Sequence, residues 1–176
     1  MRMNLALTVL IAALYTLPAF GQQATREDFN EFTKASVGRW IGQITWIADW
    51  PGIGKKGDKA TCYAENKISE DGNALISKSF GGNGSGTSIT MYDAGAKQIR
   101  ESGVDSGGSV WTAIYFKEGG KWASTSTGSL ADGSKVEGKA LATYTDDGNT
   151  VTFTGTVTIN GKKADDLHDV YRRVSK

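Results

Sequence analysis

The stretch Gly38-Arg39-Trp40-Ile41-Gly42-Gln43-Ile44-Thr45-Trp46 decides how this chain can fold. Successive side chains of an extended strand point to opposite faces, so the even-numbered residues of this stretch share one face and the odd-numbered residues share the other. The even face carries two tryptophans, an isoleucine and two glycines, whereas the odd face is mostly polar. This alternation predicts a strand with one buried face, which strands further along the chain must cover.

The rest of the chain repeats this pattern as short alternating runs between turn sequences. Asp-Gly and Asn-Gly pairs are the strongest local signals for hairpins, and they recur here between the runs. The glycine-rich run 81–86 is expected to be a flexible connector. Beyond the first strand, the predicted strands cover residues 59–68, 74–80, 87–92, 97–104, 109–117, 121–130, 135–145, 150–160 and 167–175.

These strands are expected to form one closed antiparallel sheet. No segment between them has the length or the 3.6-residue period of a crossover helix, which disfavours parallel pairing. A set of about ten strands of similar length hides its edges best by closing on itself. The predicted fold class is therefore all-β, an antiparallel up-and-down β-barrel of about 8–10 strands with a short N-terminal helix.

The first 21 residues predict a cleaved signal peptide. A short basic start is followed by an apolar run over 5–17 and by a small-residue cleavage site at 18–21. We therefore expect an exported protein that is periplasmic or extracellular, with residues 1–21 as signal, 22–37 as the helical segment and 38–176 as the barrel. Thr25 and Asp28 form a capping-box pattern, which predicts a helix from about Arg26 to Ser36 whose Phe29 and Phe32 plug one barrel end.

Composition excludes several classes of function. The net charge is +1 with acids and bases interspersed, so we expect no nucleic-acid partner and no membrane association of the mature chain. Cys62 is the single cysteine, which rules out an intramolecular disulfide and favours a small buried strand residue.

Two motifs at the ends of the chain resemble those of the lipocalins and the wider calycin superfamily. A helix followed by Gly38-x-Trp40 resembles the opening of that family, and Arg172 and Arg173 stand where it has a basic residue on the last strand. The resemblance implies that such a residue, which we assign to Arg172, packs over Trp40 and closes one end of the barrel through a cation–π contact. It also implies an internal ligand cavity.

Aromatic residues on the predicted strands are the candidate walls of this cavity. We expect a small hydrophobic or amphipathic ligand to be bound without catalysis and without a cofactor, and the loop that carries Trp50 to act as a lid. The candidate ligand-binding residues are Trp46, Trp50, Tyr92, Trp111 and Tyr115.

Other functions stay open at this point. The barrel interior could be filled, in which case glycine-rich loops and outer strand faces would bind another protein. The pattern Gly38-x-Trp40-x-Gly42 is also similar to nitrobindins, which implies haem bound through a C-terminal histidine; His168, the sole histidine, is the candidate. An enzyme would need an acid–base pair in the cavity, such as Glu101 with Asp105 or Arg100.

Overall fold

A computed structural model describes residues 23–175 as one helix and eleven strands. The predicted signal peptide lies outside this range. The elements are α1 (Arg26–Ser36), β1 (Gly38–Thr45), β2 (Lys59–Ile68), β3 (Ala74–Gly81), β4 (Gly84–Asp93), β5 (Gln98–Asp105), β6 (Val110–Glu118), β7 (Lys121–Ser129), β8 (Lys135–Thr145), β9 (Thr150–Ile159), β10 (Lys162–Lys163) and β11 (Leu167–Ser175).

Ten of these strands close into an antiparallel barrel. Each strand from β1 to β9 pairs with the next, and β11 pairs with β9 on one side and with β1 on the other. The two-residue β10 extends the β9 ladder beyond the start of β11. The predicted fold class is confirmed, because sequential pairing and the β1–β11 ladder together make an up-and-down closed barrel.

The hairpin between β3 and β4 is tighter than the sequence predicts. Residues 81–86 were expected to be a flexible connector, but Gly81 ends β3 and Gly84 begins β4, so that Gly82 and Asn83 alone form the turn. Glycine is frequent here because side chains from other parts of the barrel lie against these strands: a Cβ atom on Gly81 would meet the Cys62 thiol, and one on Gly84 would meet the Ile53 side chain.

The helix closes one end of the barrel. Thr25 and Asp28 form the predicted capping box, in which each side chain accepts a hydrogen bond from the backbone of the other residue. Phe32 faces the interior and packs against the rings of Tyr115 and Trp122, with centroid distances of 4.7 and 5.2 Å. Together with the fully buried Phe29, it makes this helix a hydrophobic plug.

The ends of the sheet are joined beneath this helix by Trp40 and Arg173. The guanidinium of Arg173 lies 4.1 Å from the centroid of the Trp40 ring. It also donates hydrogen bonds to the backbone carbonyls of Ala35, Val37 and Gly148. The indole of Trp40 in turn donates to the carbonyl of Ser36 at 2.9 Å. One cation therefore ties the helix, the first strand, the last strand and the β8–β9 turn together.

This position belongs to Arg173 and not to the predicted Arg172. Residues of β11 alternate between the interior and the outer face, and Tyr171 and Arg173 share the inward face. Arg172 is exposed on the opposite face and cannot reach the buried Trp40. Gly38 takes a positive φ of 123° between the helix and β1, a conformation that favours glycine.

Within residues 23–175, no helix is both long enough and apolar enough to cross a membrane.

Replacement of Arg173 by Met should lower the free energy of unfolding by roughly 2–3 kcal/mol, since it removes a cation–π contact and leaves helix-end carbonyls without their donor. Arg172→Met is the matched control and should change stability by less than about 0.5 kcal/mol, as is usual for exposed positions. Denaturant titration of both variants measures the difference. Equal losses would contradict the assignment of the closing residue.

Candidate functional site

The barrel encloses two chambers, one at each end. The upper chamber, with a volume of about 360 Å³, lies at the end away from the helix. The lower chamber, of about 300 Å³, lies beneath the helix. Both volumes are at the lower end of the range for small-molecule sites. Among residues 23–175, Tyr171 is the one side chain that lines both chambers.

The upper chamber is covered by the lid loop, residues 46–58 between β1 and β2. The loop is folded back on itself by backbone hydrogen bonds between Trp50 and Gly54. Ile53, at its tip, is 94% buried although it belongs to a loop. A Cβ atom on Gly84 would come within 2.7 Å of the Ile53 side chain, so the glycine on β4 makes room for the lid.

Asp105 anchors the lid loop to the rim of the barrel. One of its carboxylate oxygens accepts a hydrogen bond of 2.9 Å from the indole N–H of Trp50. The other oxygen accepts 2.9 Å bonds from the backbone amides of Gly107 and Ser109, which order the β5–β6 turn. The lid is thus anchored to the barrel rim through a charged acceptor, and such hydrogen bonds are stronger than neutral ones.

Glu101 fixes a second tryptophan in the same way. Its carboxylate accepts hydrogen bonds from the indole of Trp111 at 2.7 Å, from the hydroxyl of Tyr115 at 2.9 Å and from the hydroxyl of Thr90 at 3.2 Å. Burial, together with the nearby Glu101 charge, raises the pKa of Tyr115 well above its ordinary value, so this hydroxyl remains a donor. Trp111 faces the upper chamber, and Tyr115 faces the lower one.

Tyr171 stands between the chambers on the opposite wall. Four strands separate β11 from β5 in either direction around the barrel, which places Tyr171 across from Glu101. Its ring lies over Gly42, where a Cβ atom would come within 2.6 Å of the ring, and it packs edge-to-face on Phe153. Its hydroxyl lies beside the thiol of Cys62, and burial raises the pKa of both groups. A protonated thiol is a poor nucleophile.

The lower chamber contains an acid with no side-chain partner among residues 23–175. Asp169 points inward from β11, and a backbone hydrogen bond from Thr45 is the contact its carboxylate makes. Burial raises the pKa of Asp169 to about 6, and the charge of His168 opposes this shift. Asp169 therefore changes its charge near neutral pH, unlike an ordinary aspartate.

The five predicted ligand-binding residues do not meet in one pocket. Trp46, Trp50 and Trp111 line the upper chamber as expected, and the rings of Trp46 and Trp50 are 6.3 Å apart. Tyr115 lines the lower chamber instead. Tyr92 lies at the helix end of β4 and packs against the core beneath the helix, because the end of this strand is covered by α1.

His168 lies on the outer face of β11, where it is exposed, and it lines neither chamber. It is therefore not placed to bind a haem inside the barrel. Residues 23–175 also contain no group of three or more His, Cys, Asp or Glu side chains that could hold a metal ion.

Sequence reasoning missed three residues that shape the chambers: Ile53, Asp169 and Tyr171. Period-two alternation along β11 places Asp169 and Tyr171 on the same face as Arg173. Had Arg173 been assigned to the interior instead of Arg172, both residues would have been predicted to face inward. Ile53 carries no such signal, because a loop has no periodicity.

The sequence was compared with known families and proteins. No family model matches the chain, and no curated protein matches it. The architecture, a ten-stranded antiparallel barrel with one short helix, is consistent with a lipocalin-like or calycin-like fold.

Replacement of Asp105 by Asn should loosen the lid. The amide oxygen of the new side chain can still accept the hydrogen bonds from the backbone amides of Gly107 and Ser109. Its N–H₂ group then faces the indole N–H of Trp50, so the hydrogen bond that anchors the lid is lost. A loss of about 1.4 kcal/mol, typical of a charged hydrogen bond, would speed hydrogen exchange in residues 46–58 about tenfold. Asp93→Asn, in a comparable turn where Asp93 accepts from the amide of Ala96, is the control. Unchanged exchange in Asp105→Asn would contradict the anchoring role.

Asp169 should also make stability depend on pH. Its pKa is about 6 in the folded chain, against an ordinary value of 3.8, so the folded state binds more protons than the unfolded state between these values. Stability should then fall as pH rises from about 4 to about 6 and stay low above that window. Asp169→Asn should remove this fall and add about 1 kcal/mol at pH 8, once solvent screening is allowed for.

Denaturant midpoints at pH 4, 5, 6 and 8 measure this effect. Asp147→Asn makes the same charge change on the exposed β8–β9 turn, at a φ of 50° that Asn tolerates, and it serves as control. The same pH profile in Asp169→Asn and in the unaltered protein would refute the assignment.

Proposed function

We propose that this chain is an exported, non-enzymatic, lipocalin-like binding protein that holds a compact and largely apolar molecule in the upper chamber. The observation that carries the proposal is a chamber of about 360 Å³ with indole walls beneath an anchored lid. Trp46, Trp50 and Trp111 supply flat apolar surface there, and Ile53 covers the top.

The size of the chamber sets the size and affinity of the ligand. A molecule of roughly 10–15 non-hydrogen atoms fits a site at the lower end of the usual range. Ligands of this kind gain between about 0.3 and 1.5 kcal/mol per non-hydrogen atom. At about 0.7 kcal/mol per atom, 12 atoms give about 8 kcal/mol, which corresponds to a dissociation constant near 1 μM.

Binding is favoured over catalysis because the acids near the chamber are already occupied. Glu101 and Asp105, the pair considered for acid–base chemistry, each accept an indole hydrogen bond and at least two further hydrogen bonds. Cys62 lines the chamber, but burial raises the pKa of its thiol and keeps it protonated. These groups position walls and lid instead of attacking a substrate.

A second candidate function, protein interaction, is favoured by one feature of the outer surface. Tyr63 on β2 and Phe80 on β3 are directly paired across the ladder, and each is more than half exposed, at 54% and 55%. Ile76 on β3 and Ile89 on β4 are also directly paired, and both side chains are exposed. An exposed apolar face of this kind can bind another protein, in which case the chambers would have no ligand.

Native mass spectrometry of protein purified without denaturation tests the binding proposal. We expect an adduct in the mass range of a 10–15-atom molecule, which disappears on denaturation. Val157→Phe, which inserts a ring into the upper chamber from β9, should abolish the adduct. Val104→Phe adds the same ring to the outer face of β5, where the side chain is 48% exposed, and should retain it.

The proposal fails if the protein has its apo mass and no panel of small apolar compounds changes its tryptophan fluorescence. An adduct that Val157→Phe leaves in place would also refute the upper chamber as the site. Co-purification of a partner that Tyr63→Ser and Phe80→Ser release would support the second candidate.

A further inference from the structure

The lower chamber has a different chemical character from the upper one. Seven aromatic side chains line it, and they come from the helix and from β1, β6, β7, β8, β9 and β11. These aromatic residues are Phe32, Trp40, Tyr115, Trp122, Tyr144, Phe153 and Tyr171. Ring faces carry partial negative charge, so a wall of this kind attracts cations.

The charged groups of the lower chamber have the same sign. Glu101 and Asp169 line it, whereas no Lys or Arg among residues 23–175 does. Arg173, the nearest inward cation along β11, is engaged with the Trp40 ring and the helix end. The lower chamber is therefore electronegative both in its rings and in its carboxylates.

The two carboxylates differ in what they can still bind. Glu101 accepts three hydrogen bonds from Thr90, Trp111 and Tyr115. Asp169 has a backbone contact from Thr45 and no bond to another side chain in the described chain. Removing a carboxylate from water is costly unless it is paired with a cation or with donors, so the half-buried Asp169 is the group that a ligand would complete.

Asp169 also lies just beyond the end of the β1–β11 ladder. The ladder ends at the pair Gln43 and Val170, and Asp169 is the next residue toward the start of β11. Between β10 and β11, the amide of Ala164 donates to the carbonyl of Val157 on β9, and the amide of Asp165 donates to the carbonyl of Ile47. The Asp169 carboxylate itself accepts a backbone hydrogen bond from Thr45 beyond that ladder, so it is held at the chamber wall on the side of β1.

We propose that the lower chamber is a second binding site, for a compact organic ammonium ion whose charged nitrogen lies against the Asp169 carboxylate while its body packs on the aromatic rings. A charge-assisted hydrogen bond to the carboxylate fixes the nitrogen. The rings of Phe153, paired with Asp169 on β9, and of Tyr171 add cation–π attraction and apolar contact. The site is separate from the upper chamber and does not depend on the function proposed for it.

The pH dependence of this site follows from the groups around Asp169. His168 is its neighbour on the outer face, and Tyr171 and the Cys62 thiol lie beside it on β11 and β2. Glu101, Tyr115 and Tyr144 face the chamber from β5, β6 and β8. Burial keeps the three tyrosine pKa values and the Cys62 pKa above their ordinary values, so these four groups stay neutral at pH 5–8. Asp169, with a pKa of about 6, ionises in this range.

Phenethylamine and 2-phenylethanol form a matched pair of probes, because they have nearly the same shape and differ in charge. Isothermal titration at pH 8 should show that the amine binds at least tenfold more tightly than the alcohol. At pH 5 about a tenth of Asp169 is ionised for a pKa of about 6, so the affinity for the amine should fall about tenfold. The affinity for the alcohol should not fall.

Asp169→Asn should remove the preference for the amine and its pH dependence, whereas Asp147→Asn should keep both. Val157→Phe fills the upper chamber and should leave amine binding intact, so that failure of the two proposals can be told apart. Equal affinities for amine and alcohol, absence of amine binding, or unchanged amine affinity in Asp169→Asn would each overturn the proposal. Circular dichroism checks that Asp169→Asn is folded, and the pH series on the unaltered protein needs no variant.

Discussion

The stacking of Arg173 on Trp40 is the interaction on which the rest of the structure depends. It joins the last strand to the first, so that ten strands close and no long sheet edge is left exposed. The same guanidinium holds the carbonyls at the end of the helix, which fixes the helix as the plug of one end. A barrel of ten strands has a wider interior than one of eight, whose side chains can fill it. Closure at this circumference therefore leaves space inside.

The interior is divided by polar contacts and not by apolar packing alone. Glu101 and Asp105 are inward acids on β5, and each accepts a hydrogen bond that fixes the position of an indole. Glu101 fixes Trp111 in the wall of the upper chamber, and Asp105 fixes Trp50 in the lid. Tyr171 enters from the opposite side. Buried acids are tolerated because donors surround them. The exception is Asp169, whose carboxylate has no side-chain donor in the described chain. The acids that fix the walls of the upper chamber have all their partners within the protein, whereas a ligand can supply the partner for Asp169 in the lower chamber.

Much of the fold follows from local sequence signals, whereas the site depends on contacts that are distant in sequence. Alternation and Asp-Gly turns predict the ten long strands, and the capping box predicts the helix from Arg26 to Ser36, because these signals act over a few residues. The choice between Arg172 and Arg173 depends on the register of β11 against β1, which pairs residues more than 120 positions apart. The burial of Ile53 depends on a space that Gly84 provides on another strand. Local patterns contain neither fact.

The most direct test of a hollow, divided barrel is a crystal structure determined under xenon pressure, since xenon occupies dry apolar cavities and leaves filled cores unlabelled. The account predicts xenon in the upper chamber between Trp111, Ile53 and Val157, and a polar lower chamber with ordered water or solute beside Asp169. An interior without xenon, in which the side chains of Trp46 and Trp111 fill the space between lid and Tyr171, would contradict it.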